Sequence, residues 1–321
     1  MAQTGNAKSN TKTGFVFAPF NTQNTPNIFI SADTHTNEHN LPPLNFARPL
    51  AAAKSVVKEA ALKTSTKKEY CNYVVNIQAA IAQKKFKKAV AACVTKIKQP
   101  NRFEPANFFK KLVKAYPAAF VSLVYTPQAG IWIGATPEIL LAVEGKQYTT
   151  YSLAGTQKRN DAAPVVWGKK EQQEQKFVSD YILQTFAGLT DKKPLVQGPE
   201  TVTAANLAHL RTTFTFKGIP FNKWEAVAQQ LHPTPAVAGL PKKKGVEFIT
   251  AHEKSPRYYY SGYLGPVTKN EVSLFVNLRC MTVLEKHLAI YTGCGITKDS
   301  IPEKEWQETL IKKRTLLNVL Q

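Results

Sequence analysis

Acids are scarce in this chain. Its 321 residues carry 22 Asp plus Glu against 42 Lys plus Arg, a formal charge of +20 at pH 7. Such a balance raises the question of a polyanionic partner. Arginine, however, is scarce too, with Arg48, Arg102, Arg159, Arg211, Arg257, Arg279 and Arg314 the full set. Nucleic-acid readers favour the bidentate arginine fork over lysine. The lysine pairs (Lys67-Lys68, Lys84-Lys85, Lys87-Lys88, Lys169-Lys170) and the run Lys242-Lys243-Lys244 are scattered. No specific nucleic-acid partner is expected. Four cysteines, Cys71, Cys93, Cys280 and Cys294, form no CxxC pair, which excludes metal-finger spacing. No run approaches the roughly 18 apolar residues of a membrane span, and residues 1–14 lack a signal-peptide core. A cytoplasmic protein with reduced thiols and no membrane association is expected. There is no βαβ rhythm, no internal repeat and no Ser/Gly/Pro-rich linker.

What is present is globular: 43% hydrophobic and 20% charged residues. Residues 1–13 read as a loose tail and 14–321 as one domain. Strands are expected at 15–18, 28–30, 89–92, 119–125, 130–134, 139–143, 148–154, 258–264, 272–281 and 287–294. Helices are expected at 65–84, 105–115, 167–186, 221–231 and 302–320, with Pro105 at a first helical position. Strands in runs, interrupted by helices, predict an α+β fold with large antiparallel sheets.

Two acidic pairs stand out against this background. Glu171 and Glu174 lie three apart, as do Glu305 and Glu308, with Lys312 four further on. Such spacings share a helix face. Ser300-Ile301-Pro302-Glu303 reads as a capping box that starts the second helix. Two carboxylates on each of two helices could converge on a hard cation such as Mg²⁺. The same spacing also decorates ordinary solvated helices. Gly155 and Thr156 follow a strand, and Gly293-Cys294-Gly295 offers a turn where backbone N–H groups could hold a carboxylate. Arg279 sits in the apolar run Val276-Asn277-Leu278-Arg279-Cys280 and needs an anionic partner, from the fold or from a ligand.

Seven short motifs carry a resemblance. They are Gly134-Ala135-Thr136-Pro137-Glu138, Leu153-Ala154-Gly155-Thr156, Leu231-His232-Pro233-Thr234-Pro235-Ala236-Val237, Tyr260-Ser261-Gly262, Leu278-Arg279-Cys280, Gly293-Cys294-Gly295-Ile296, and Glu305-Trp306-Gln307-Glu308-Thr309 with Lys312. In this order they resemble the chorismate-utilising enzymes: anthranilate, aminodeoxychorismate, isochorismate and salicylate synthases. The likeness covers about residue 86 onward. Three positions depart from the pattern: Gln175 for a histidine, Cys294 for an alanine and Ser152 for a proline.

The resemblance implies two packed antiparallel sheets with helices outside. It implies Mg²⁺ and chorismate as ligands. Aminodeoxychorismate synthases carry a nucleophilic lysine where this chain has Ala154. Water-using members carry a lysine, and anthranilate synthases a glutamine, at the position that falls on Lys88, 50 residues before Glu138. Strand alternation sends Lys87 to the other face. The implied activity is therefore isochorismate synthase, with Lys88 as base toward water and Glu138 as a buried, protonated acid. Salicylate synthase shares every motif. By the same resemblance Glu174 and Glu308 hold Mg²⁺, with Glu305 and Glu171 beside them. Gly155, Thr156, Lys312, Arg279, Tyr260, Gly293, Gly295 and His232 would meet substrate. Menaquinone and catecholate siderophores both begin from isochorismate. At this length a monomer is expected, without a fused or partnered glutamine amidotransferase.

Overall fold

Residues 13–32, 55–158, 165–204 and 207–321 are described by the structure, a computed structural model. The expected tail, residues 1–13, falls outside it except for Thr13. In chain order the elements are β1 (Gly14–Ala18), β2 (Ile28–Ser31), α1 (Lys67–Ala82), β3 (Lys88–Lys98), α2 (Pro105–Ala115), β4 (Phe120–Thr126), β5 (Gly130–Thr136), β6 (Ile139–Glu144), β7 (Gln147–Lys158), α3 (Lys169–Phe186), β8 (Leu195–Ala204), β9 (Leu207–Lys217), α4 (Trp224–Leu231), β10 (Gly239–Leu240), α5 (Lys242–His252), β11 (Tyr263–Val267), β12 (Glu271–Val276), β13 (Cys280–Val283), β14 (His287–Ile296) and α6 (Pro302–Leu320).

The strands form two antiparallel sheets. One has eight strands in the order β2-β1-β11-β12-β6-β7-β9-β8, the other six in the order β10-β3-β14-β13-β5-β4. Alternation along each strand divides the side chains between layers. In β1, Val16 and Ala18 join the cluster that includes Val178, Ile182 and Phe186 of α3. Phe17, between them, joins Trp132 of β5 and Tyr291 of β14 from the other sheet. The sheets thus meet face to face. Helices α3 and α4 cover one outer face, and α1, α2 and α6 the other. The expected α+β class is observed.

Two of the links that carry the chain from one sheet to the other are only two and three residues long. Pro137-Glu138 joins β5 to β6, and Asn277-Leu278-Arg279 joins β12 to β13. They are stitched together: Val276 N donates to Glu138 O at 2.9 Å, and Ala135 N donates to Arg279 O at 3.2 Å. The second link corrects the expected unbroken strand over 272–281. Asn277, buried at 2% exposure, donates its side-chain N–H to Tyr259 O at 3.0 Å, and Arg279 turns at φ 47°. A local apolar pattern reads through such a break because both halves are buried.

Other expectations are also corrected. The strand over 258–264 begins only at Tyr263, since Tyr258 and Ser261 adopt positive φ and form a turn. The short strand at 89–92 runs on to Lys98, because β14 pairs with it along its length. No side chain caps α6. Its N-cap is Ile301, Ser300 Oγ instead accepts from Thr297 N at 3.2 Å, and Glu303 pairs with Lys67 at 2.7 Å. The capping box lies on α1, between Thr66 and Glu69. Strands β8 and β9 and helix α5 were not expected.

Candidate active site

Lys88 opens β3, facing inward at 2% exposure, while Lys87 is exposed. Alternation puts the two lysines on opposite faces, so the burial of one leaves the other outside. The neighbouring strand makes room for it. A Cβ on Gly295 of β14 would lie 2.8 Å from Lys88 Cε and 3.0 Å from Glu174 Oε2, so only glycine admits both side chains. Lys88 Nζ stands 3.7 Å from Glu174 Oε2. Glu138, on the first link between the sheets, lines the same cavity. Burial pushes its carboxyl up to about 7, against the opposing charges of Lys88, Lys312 and Arg279. A carboxyl in that range can hold a proton and give it away near neutral pH.

Four acids of α3 and α6 gather at the cavity. Glu171, Glu174 and Glu308 line it, and Glu305 lies behind them at 2% exposure. Lys312 Nζ is 2.8 Å from Glu308 Oε1 and donates to Gly293 O at 2.8 Å. Burial alone would raise Glu308, but Lys312 outweighs it and the carboxyl is held below its ordinary value. Burial raises Glu305 in spite of nearby Lys170. Glu174 Oε1 and Glu305 Oε2 are buried and have no hydrogen-bond partner among the described residues. Buried orphan carboxylate oxygens are costly unless something binds them. Cys294 Sγ and carboxylate oxygens of Glu305 and Glu308 also lie within 4.8 Å of one another. Oxygen-rich, negatively charged and orphaned, this donor set fits a hard divalent cation.

The remaining wall suits an anion. Arg279 lines the cavity, and among the described residues it pairs with no carboxylate. Burial pushes its guanidinium down to about 10. Its Nη2 lies 2.9 Å from His209 Nε2. A guanidinium only donates, so Nε2 accepts and the imidazole proton sits on Nδ1, which donates to Gly155 O at 2.9 Å. Burial, then the charge of Arg279, holds His209 neutral, down at about 4. Gly155 takes φ 70° at the irregularity of β7, close under Trp167. Tyr260, 3% exposed, stacks on Tyr291 with centroids 5.2 Å apart and faces Gly293, where a Cβ would come within 2.8 Å of its hydroxyl.

A family model described as "Chorismate binding enzyme" matches residues 11–321. The chain belongs to the chorismate-binding enzyme family. It is 25% identical over 274 residues to the isochorismate synthase EntC of Escherichia coli K12, covering 83% of this chain and 70% of that protein. It is 29% identical over 230 residues to anthranilate synthase component 1 of Lactococcus lactis, covering 68% of this chain and 50% of that one. Among solved structures, DhbC from Bacillus anthracis superposes with a TM-score of 0.79 at 21% identity, covering 96% of this chain and 84% of that chain. Relatives with both names leave the choice of nucleophile to the residues.

Most of the expected residues of this chorismate-binding enzyme line one cavity: Lys88, Glu138, Gly155, Glu171, Glu174, Tyr260, Arg279, Gly293, Gly295, Glu308 and Lys312. The side chain of Thr156 lies outside what the structure describes. His232, expected to meet substrate, is not among the residues that line the cavity. Its Nε2 sits 3.3 Å from Phe20 O, its ring packs edge-on against Tyr263, and burial holds it neutral, at about 4. Arg279 is also repositioned, from the middle of a strand to the link between sheets. Among the cavity residues that were missed are two basic ones, His209 and Lys170. Lys170 could have been suspected, since it precedes Glu174 by four on the same helix face. His209 carried no local signal. Ser152 and Gln175, two of the departures, tie β7 to α3, with Ser152 Oγ donating to Gln175 O at 2.9 Å.

Proposed function

We propose that this protein is an Mg²⁺-dependent isochorismate synthase, which adds water at C2 of chorismate with loss of the C4 hydroxyl. The observation that carries this reading is Lys88, buried in the same cavity as a carboxyl poised near neutrality. Lys88 Nζ takes a proton from water as the new C2–O bond forms. The ring double bonds shift, the C4–O bond breaks, and Glu138 gives its proton to the departing oxygen, which leaves as water. Atoms balance, so product and substrate are isomers. When bound, Mg²⁺ supplies positive charge against the ring carboxylate, and Glu174 and Glu308 would hold it, with Glu171 and Glu305 alongside. Arg279 and Tyr260, with the Gly293 to Gly295 backbone, would receive the enolpyruvyl carboxylate, and the Gly155 turn would receive the ring carboxylate. Among the described residues no helix is long and apolar enough to cross a membrane.

The test is chorismate turnover with and without Mg²⁺, products separated. Isochorismate alone supports the proposal. Salicylate with stoichiometric pyruvate would make the protein a salicylate synthase, and an ammonium-dependent aromatic amine an anthranilate synthase.

Two variants probe the binding walls. Glu308→Gln removes a charged metal ligand and frees Lys312. Activity should fall, and the Mg²⁺ concentration for half-maximal rate should rise about ten-fold or more, the loss typical of a disturbed metal shell. An unchanged Mg²⁺ titration would move the metal elsewhere. His209→Ala leaves Arg279 without its acceptor and Gly155 O without its donor. KM should rise about ten-fold, a misplaced hydrogen-bond partner costing roughly 1–2 kcal/mol, with a smaller change in kcat. Steady-state kinetics on both variants checks this.

A further inference from the structure

Three carboxylates of the cleft each have their own lysine. Glu174 has Lys88 at 3.7 Å, Glu308 has Lys312 at 2.8 Å and Glu305 has Lys170 at 2.5 Å. The three lysines are not equivalent. Lys88 is 2% exposed and enclosed by β14. Lys312 is tied to a backbone carbonyl as well as to its acid. Lys170 alone spans the two helices: it belongs to α3, reaches Glu305 on α6, and also lies 3.8 Å from Glu174 Oε1. Its side chain is 26% exposed, in the first turn of α3. A flexible lysine stem in that position has a route to solvent.

The charges point the same way. Leaving aside the acid–base pair Glu138 and Lys88, the cleft holds three cations, Lys170, Lys312 and Arg279, and four anions, Glu171, Glu174, Glu305 and Glu308. By formal charge it is one negative charge from neutral. A divalent ion alone would add two charges and a dicarboxylate alone would remove two. Together they cancel.

We propose that the Lys170 ammonium is a resident counter-cation, which bridges Glu174 and Glu305 until a divalent ion takes those oxygens and the lysine swings outward. It follows that metal binds weakly by itself and tightly with its dicarboxylate partner, each raising the affinity of the other by the same factor. This rests on the metal reading given above.

The experiment measures Mn²⁺ binding by electron paramagnetic resonance, at fixed pH and ionic strength, without substrate. Wild type is compared with Lys170→Met and Lys170→Gln, two replacements chosen so that a folding defect in one does not decide the matter. Lys176→Met, which removes an exposed lysine paired with Asp180 on the same helix, is the control for net charge. Both Lys170 variants should bind Mn²⁺ about ten-fold more tightly than wild type, within the usual range of coupling between sites. Without metal they should melt at a lower temperature than wild type, because Glu174 and Glu305 lose their shared cation, and Mn²⁺ should restore the difference. The control should match wild type. Equal affinities in wild type and both Lys170 variants would overturn the counter-cation role and leave the metal site standing. No Mn²⁺ binding to any of the proteins, with or without chorismate, would remove the metal reading and this proposal together.

Discussion

Lys88→Ala is expected to lose about 10²- to 10⁴-fold in kcat, the contribution typical of a positioned general base, while KM for chorismate changes little. The reason lies in the enclosure of the side chain. Lys88 is 2% exposed, its stem lies against Gly295, and the nearest carboxylate, Glu174 Oε2, is 3.7 Å away. Of the cavity's other lysines, Lys312 is held by Glu308 and Gly293 O, and Lys170 by Glu305. Neither is free to take its place. The fold should survive, since Glu174 keeps Lys170 at 3.8 Å and is not left as a lone buried charge. Far-ultraviolet circular dichroism and the melting temperature check that point. Rapid quench or steady-state product analysis checks the rate. Turnover at the wild-type rate in a folded Lys88→Ala protein would refute the base assignment.

Glu138→Gln should be equally damaging to activity, about 10²- to 10⁴-fold, and should reveal a cost that the wild type carries. Burial lifts the Glu138 carboxyl from 4.5 to about 7 in the folded protein. Between those values the native state holds a proton that the unfolded chain releases. The favourable contribution is therefore full below about pH 4.5 and is lost as the pH rises through about 7, amounting to roughly 3 kcal/mol at most. Wild-type turnover should fall on the alkaline side of pH 7, because the acid has then lost its proton. The glutamine variant has no proton to lose. Relative to wild type its melting temperature should gain about 5 °C between pH 5 and pH 8, a shift of the size expected for that free energy in a chain of this length. Parallel pH profiles of melting in the two proteins would contradict the burial of an ionisable group at 138, whatever the activity does.

Local chemistry made much of this molecule legible. Helices α2 and α6 begin and end where the sequence places them, at Pro105–Ala115 and Pro302–Leu320, because a proline in the first turn and a periodic apolar face are local signals. Alternation puts Lys87 and Lys88 on opposite faces, and the motif resemblance picks Lys88 as the inward one. Strands β8 and β9 were not expected. In β8, Gln197, Glu200, Thr201 and Thr203 give no apolar rhythm, and pairing with β9 supplies what the local pattern does not. In β9, Ala208, Leu210, Phe214 and Phe216 do alternate and are buried, a local signal that was overlooked. The two histidines show the same division. His232 stood in a recognisable run and proved to pack against Tyr263, away from the cavity. His209 stood in none and reaches both Arg279 and Gly155.

The sequence by itself determined the class of fold and a pair of acids on each of two helix faces, because spacings of two, three and four residues are converted by backbone geometry directly into shared faces. The family was legible from seven motifs in order. The excess of lysine, its most unusual feature, stayed ambiguous at that level. Only the tertiary structure decided that Lys88, Lys170, Lys312 and Arg279 enter the cleft beside four carboxylates, that Lys170 joins α3 to α6, and that burial lifts the Glu138 carboxyl to about 7. Each of these depends on elements far apart in the chain, brought together around one cleft. Distance and burial set the strength of a charge pair, and neither is written in the spacing of residues along the chain.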